Sequence, residues 1–122
     1  MKIFAIVNQK GGVGKTTTSV NLAACLAAMH RRILLIDLDA QGNATMGCGV
    51  DKSQLPATIF DVLVLGRPLN EEVAEGTGGL HVVGANVDLT GAEIELIDLD
   101  VREYRLKTAL AEINDQYDYV VI

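Results

Sequence analysis

Four short runs of branched apolar residues punctuate the chain: Ile3–Val7, Ile33–Ile36, Leu80–Val83 and Tyr119–Ile122. Each is continuous rather than alternating, the pattern of a strand buried on both faces, so a mainly parallel sheet is expected. Between them the period changes to that of a helix. A first helix is predicted to open near Lys15, with Leu22, Leu26 and Met29 on one side as core residues and small alanines filling the remainder. His30, Arg31 and Arg32 follow at its carbonyl end, where the dipole favours positive charge. Residues 39–49 are polar and glycine-containing and read as a loop at the carboxyl end of the second strand. Thr58 is placed to cap a short helix running to Val64 and ended by Gly66. Gly76–Gly79 make a turn into the third strand. Val101–Tyr117 forms an amphipathic helix with Leu106, Leu110 and Ile113 as its buried stripe and Glu103–Lys107 as a supporting pair. Strand, loop, helix and strand in this order form a βαβ unit.

Composition narrows the class. With 49% hydrophobic and 21% charged residues in 122, the chain is a globular single domain at most. Aromatics are only 4% and Trp is absent, so the core must be aliphatic. A net charge of −6 without a Lys/Arg block makes this chain by itself a poor ligand for nucleic acid. Cys25 and Cys48 lack a CxxC spacing, which argues for reduced thiols and against a disulfide framework or an iron–sulfur cluster. The first apolar run is too short for a signal peptide, and no run reaches membrane-spanning length. Glu93, Glu95, Asp98 and Asp100 read as a solvated face, and His30 and His81 are isolated. The chain stops inside an apolar strand pattern, so a truncated sequence is expected.

The chemistry lies in Lys10-Gly11-Gly12-Val13-Gly14-Lys15-Thr16-Thr17, between a strand and a helix. Glycines let consecutive backbone N–H groups converge on a phosphate chain without Cβ clashes. The helix that follows offers its amino end. Lys15 supplies a cation for the β- and γ-phosphates, and Thr16 a hydroxyl for Mg²⁺. Gln9 stands where the strict G-x-x-x-x-G-K-[ST] pattern has its first glycine, and Lys10 directly precedes the glycine pair, the deviant Walker A arrangement. Asp37 and Asp39 sit at the carboxyl end of the second strand, on the sheet edge where α/β folds bind ligands. They are placed to hold Mg²⁺ or its water shell, or to position the attacking water; solvated loop carboxylates are the plain alternative.

Together with Asp37-Leu38-Asp39-Ala40-Gln41-Gly42-Asn43-Ala44-Thr45, this loop resembles the ParA/Soj family of chromosome- and plasmid-partitioning ATPases, whose switch I motif reads Asp-x-Asp-Pro-Gln-Gly-Asn-Ala-Thr; Ala40 stands in place of its proline. Leu89–Leu96 and Arg102–Leu106 resemble the Soj-type branch as well. The resemblance implies an α/β P-loop NTPase fold, Rossmann-like and three-layered. The sheet would be incomplete at the C-terminus, with residues 1–122 the N-terminal part of one ATPase domain cut before the Walker B/switch II segment. It implies ATP with Mg²⁺ and a homodimer formed on ATP binding, in which Lys10 reaches the partner's nucleotide and Gly11 permits close approach. By the same resemblance Lys10 through Thr17 bind nucleotide, and Thr16 and Asp39 serve the metal. Asp39 is the candidate for positioning water, and Lys10, Lys15 and Asp39 are the catalytic set. Non-specific DNA, bound through residues outside this chain, and a ParB-like centromere-binding protein are the implied partners. The implied location is cytoplasmic and nucleoid-associated, with no membrane contact. A MinD-like cell-division ATPase and a truncated nucleotide-binding module without catalysis are the alternatives. Without the later half, weak nucleotide binding and little hydrolysis are expected.

Overall fold

The computed structural model describes residues 2–4, 15–38, 42–51, 58–85, 105–113 and 116–122. Their elements in chain order are β1 (Lys2–Phe4), α1 (Lys15–Ala28), β2 (Ile33–Ile36), α2 (Asn43–Gly47), α3 (Ile59–Leu63), β3 (Ala74–Glu75), β4 (His81–Val83), α4 (Arg105–Ala111) and β5 (Tyr119–Val121). The strands form one sheet in the order β1-β5-β2-β4-β3, and all the pairings are parallel except that of the short β3 with β4. The four apolar runs are therefore the four parallel strands. The antiparallel β3 was not foreseen, since two residues carry no periodicity of their own.

Alternation along β2 divides the core. Leu34 and Ile36 face Val62, Leu63, Leu110, Ile113 and Val120, beneath α3 and α4. Ile33 and Leu35 face Ala23, Ala44, Cys48, Val82 and Val121, beneath α1 and α2. The result is three layers, helices on both faces of a sheet, which is why β2 is apolar and buried at every position. Each fully buried aliphatic side chain, such as Leu34, contributes about 1.5–3 kcal/mol. As expected, Leu110 and Ile113 are buried and Leu106 packs beside them.

Several expectations are corrected. Ile3 and Phe4 are 48% and 39% exposed, because β1 lies at the sheet edge with β5 as its one strand neighbour among the described residues; the Phe4 ring stacks on Tyr119 at 5.9 Å. Residues 5–7 of that run lie outside the described residues. Met29 is 63% exposed, not core: α1 ends at Ala28, and His30 at φ 59° swings the chain away into β2. Arg32, two residues further on, pairs with Asp118. Its guanidinium bonds Asp118 Oδ1 at 3.1 Å while its backbone N–H donates to Oδ2 at 2.9 Å, and the Arg32 carbonyl accepts from the N–H groups of Asp118 and Tyr119. These bonds join the entries to β2 and β5, and the Arg32 side chain holds the Asp118 carboxyl below its ordinary range. The described part of the last helix stops at Ala111; the Gln116 N–H bonds back to the Ile113 carbonyl, and Tyr117 is buried before β5, outside the helix. The Glu103–Lys107 pair lies outside the described residues. No described helix is long and apolar enough to cross a membrane.

Candidate functional site

Because β1, β5, β2 and β4 run parallel, their carboxyl ends share one edge, and α1 returns the chain from that edge to the amino end of β2. The amino end of α1 therefore opens there. Its first turn is Lys15-Thr16-Thr17-Thr18, basic and hydroxylic with no acidic residue, a composition that fits an anion at the positive end of a 14-residue helix. Lys10, Gly11, Gly12, Val13, Gly14 and Asp39 lie outside the described residues, and of Lys15, Thr16 and Thr17 only the backbone is described.

What the structure does place at this edge is Asp37. Its backbone N–H continues the sheet by donating to the Val83 carbonyl at 3.0 Å. Its carboxylate is 3% exposed as a residue, and Oδ2 accepts both the Thr45 N–H at 2.9 Å and the Thr45 hydroxyl at 2.6 Å. Thr45 Oγ1 in turn accepts the Ala85 N–H at 3.1 Å. Asp37 is thus not a solvated loop carboxylate. It joins the ends of β2 and β4 to the first turn of α2, where a negative charge meets orphan N–H groups and the positive dipole end.

Helix α2 stands inside the stretch read from sequence as a loop. Gly42, buried at φ 67°, occupies the N-cap position without a capping side chain. The missing cap is supplied from eight residues away in the sequence by Asp37. Two further contacts seat the helix. Gly47 lies where a Cβ would come within 3.1 Å of Val20 on α1, so the helices approach closely. The Cys48 carbonyl at the other end accepts the Thr77 N–H at 2.9 Å. Cys48 is buried, and that burial, with the nearby Asp37 charge second, pushes its thiol up to about 11; Cys25 is exposed. Thr45 is the residue that sequence reasoning missed. Its signal was a threonine three residues after a glycine, within reach of the aspartate ending a strand.

At the same edge the Ile59 N–H bonds the Gly84 carbonyl at 2.9 Å. Thr58 caps α3 through a reciprocal pair, with Thr58 Oγ1 accepting from Phe60 N and Asp61 Oδ2 accepting from Thr58 N. That cap was legible in sequence. His81 and Tyr117 pair at 2.8 Å near the opposite edge, where β4 begins; burial pushes the Tyr117 hydroxyl up.

Comparison with known proteins agrees with this fold. The family model described as an AAA domain matches residues 1–122. An uncharacterized protein of Pseudomonas putida is 56% identical over 122 residues, 99% of this chain and 46% of its own length. The sporulation initiation inhibitor protein Soj of Bacillus subtilis is 50% identical, covering 99% of this chain and 48% of its own. ParA chromosome partitioning proteins also match along the whole chain. Among solved structures, a cobyrinic acid a,c-diamide synthase from Mycobacterium smegmatis, with bound ATP analog and magnesium, superposes with a TM-score of 0.96 at 40% identity, over 100% of this chain and 50% of that one. The chain spans about half the length of the relatives it matches.

Proposed function

Because the chain belongs to the ParA/Soj family of partitioning ATPases, built on the AAA-domain P-loop NTPase fold, we propose that it forms the phosphate-binding half of an ATP-hydrolysing protein that works in chromosome or plasmid segregation. The observation that carries this reading is α1, which opens with Lys15 and Thr16 and no acid at the carboxyl edge of a parallel sheet. The solved relative with an ATP analog and magnesium supports the choice of nucleotide and metal.

In this reading Gly11, Gly12, Val13 and Gly14 present backbone N–H groups to the phosphates. Lys15 neutralises their charge, and Thr16 and Thr17 add hydroxyls at the first helical turn, Thr16 toward Mg²⁺. Asp39 orients the attacking water and serves the metal's hydration shell. Lys10 contributes charge to the nucleotide of a second copy, which Gly11 allows to approach. Mg²⁺, when bound, would be held by Thr16 with Asp39 at its hydration shell and would supply charge neutralisation to the phosphates. The remaining work is electrostatic and positional, done by groups fixed before the reaction. The ATP-bound homodimer then holds DNA without sequence preference through residues beyond this chain, and a ParB-like centromere-binding protein stimulates hydrolysis. The protein is cytoplasmic and nucleoid-associated.

Light scattering of the full-length protein with and without Mg-ATP tests this. The mass doubles on ATP in the parent and stays monomeric in Lys10→Ala; a parent that remains monomeric at saturating ATP would overturn the sandwich-dimer reading.

A further inference from the structure

The pair Asp37–Leu38–Asp39 invites assigning both carboxylates to metal or water. The hydrogen bonds at the carboxyl edge argue for a division of labour. A hydroxyl has one proton to give. Thr45 Oγ1 gives its proton to Asp37 Oδ2 at 2.6 Å and with a lone pair accepts the Ala85 N–H at 3.1 Å. Thr45 is 0% exposed and Asp37 3%. Asp37 Oδ2 is the acceptor of both the Thr45 N–H and O–H in a place that bulk water does not reach, and unmet buried donors are expensive, so this oxygen is held to the bridge. A charged acceptor also makes these bonds shorter and stronger than neutral ones. Three separate pieces of chain meet at this one hydroxyl: the end of β2 through Asp37, the first turn of α2 through Thr45 itself, and the end of β4 through Ala85. All three lie on the edge at which α1 opens, and α2 is packed directly on α1 at Gly47 and Val20.

We propose that Asp37 and Thr45 are positioning residues: their buried bridge fixes α2 against the ends of β2 and β4 and against α1, so that the carboxyl edge is preorganised for hydrolysis. Asp37 serves that bridge through Oδ2, and this is its principal role. The inference rests on the reading of the full-length protein as an ATPase.

The test uses the full-length protein with Thr45→Val, Thr45→Ser and Asp37→Asn, measuring Mg-ATP affinity by calorimetry, kcat for hydrolysis, and amide hydrogen exchange at residue 85. Thr45→Val keeps the shape but removes the hydroxyl. It should lower kcat roughly tenfold or more and speed exchange of the Ala85 amide by about the same factor, from loss of one buried, charge-linked hydrogen-bond network, while ATP affinity stays within about threefold. Thr45→Ser should restore both readings. Asp37→Asn, whose carboxamide oxygen can still accept from Thr45, should retain Mg-ATP affinity and fall between the other two in kcat. Parental kcat in a folded Thr45→Val overturns the proposal, as does loss of Mg-dependent ATP affinity in Asp37→Asn with exchange at residue 85 unchanged, which would make Asp37 a metal ligand. If Thr45→Val does not fold, Asp37→Asn decides by the same affinity criterion. A parent that neither binds nor hydrolyses ATP removes the underlying ATPase reading instead.

Discussion

Gly76→Ala is the substitution whose cost can be worked most directly from the structure. Gly76 has φ −101° and ψ −170°, extended backbone that any residue adopts, so its conformation does not call for glycine. Its surroundings do. A Cβ there would stand 2.7 Å from the Cys48 carbonyl oxygen, 3.2 Å from Val82 Cγ2 and 3.4 Å from the Leu80 carbonyl oxygen. The nearest atom is backbone and already engaged: the Cys48 carbonyl accepts the Thr77 N–H at 2.9 Å, and the Gly76 N–H itself bonds the Leu80 carbonyl at 2.6 Å. Relief requires the Thr77 turn to move off the carboxyl end of α2. Overpacking of this kind costs about 1–3 kcal/mol, and weakening the Thr77–Cys48 bond adds about 1 kcal/mol. The reduced entropy of the unfolded chain returns about 0.5 kcal/mol. The net loss is about 1.5–3.5 kcal/mol. Gly78→Ala is the control. It sits at φ +70° with nothing within 4 Å of the added Cβ, so only the left-handed penalty applies, about 1 kcal/mol after the same correction. Urea unfolding of the two variants beside the parent, at constant slope, measures both. Equal losses in the two variants, or a parental midpoint for Gly76→Ala, would refute the reasoning that the close approach of Gly76 to the Cys48 carbonyl requires glycine there.

Three further outcomes follow from burial and capping. Cys25 is exposed, whereas Cys48 is buried with its thiol pushed up to about 11, so iodoacetamide near pH 8 should label one thiol in the native state and the second only after unfolding. A folded-state value raised above the ordinary 9.0 contributes stability that is complete below about pH 9 and lost as pH rises toward 11; the alkaline decline should be smaller in Cys48→Ala, measured by melting temperature across that window. Thr58→Ala removes the side-chain acceptor of the α3 cap and should cost about 1 kcal/mol in urea unfolding, with Thr58→Ser close to the parent.

The legible parts of this molecule were those governed by a single local rule. Uninterrupted branched runs such as Ile33–Ile36 announced buried strands, Thr58 announced a helix start, and the spacing of Leu106, Leu110 and Ile113 announced a helix face. What escaped depended on partners remote in sequence. Asp37 becomes a cap only because β2 ends beside a helix that begins at Asn43, and that helix is hidden because its own N-cap, Gly42, has no side chain to announce it. Ile3 and Phe4 carry the composition of a central strand, yet their exposure is set by sheet order, which no local pattern encodes. Met29 keeps the helical spacing of Leu22 and Leu26 but falls one residue past the end of α1, where the left-handed His30 redirects the chain. The phosphate loop was read from its glycines and lysines, and its residues from Lys10 to Gly14 lie outside the described part of the structure.

The most direct test of the phosphate site is titration calorimetry of ATP and ADP with Mg²⁺ into this chain, beside the same chain carrying Lys15→Ala. Nucleotide binding in the parent that is lost in the variant is the expected result, since the proposed function has Lys15 neutralise the phosphates. Unchanged affinity in Lys15→Ala would contradict the assignment of residues 10–17 as the nucleotide site.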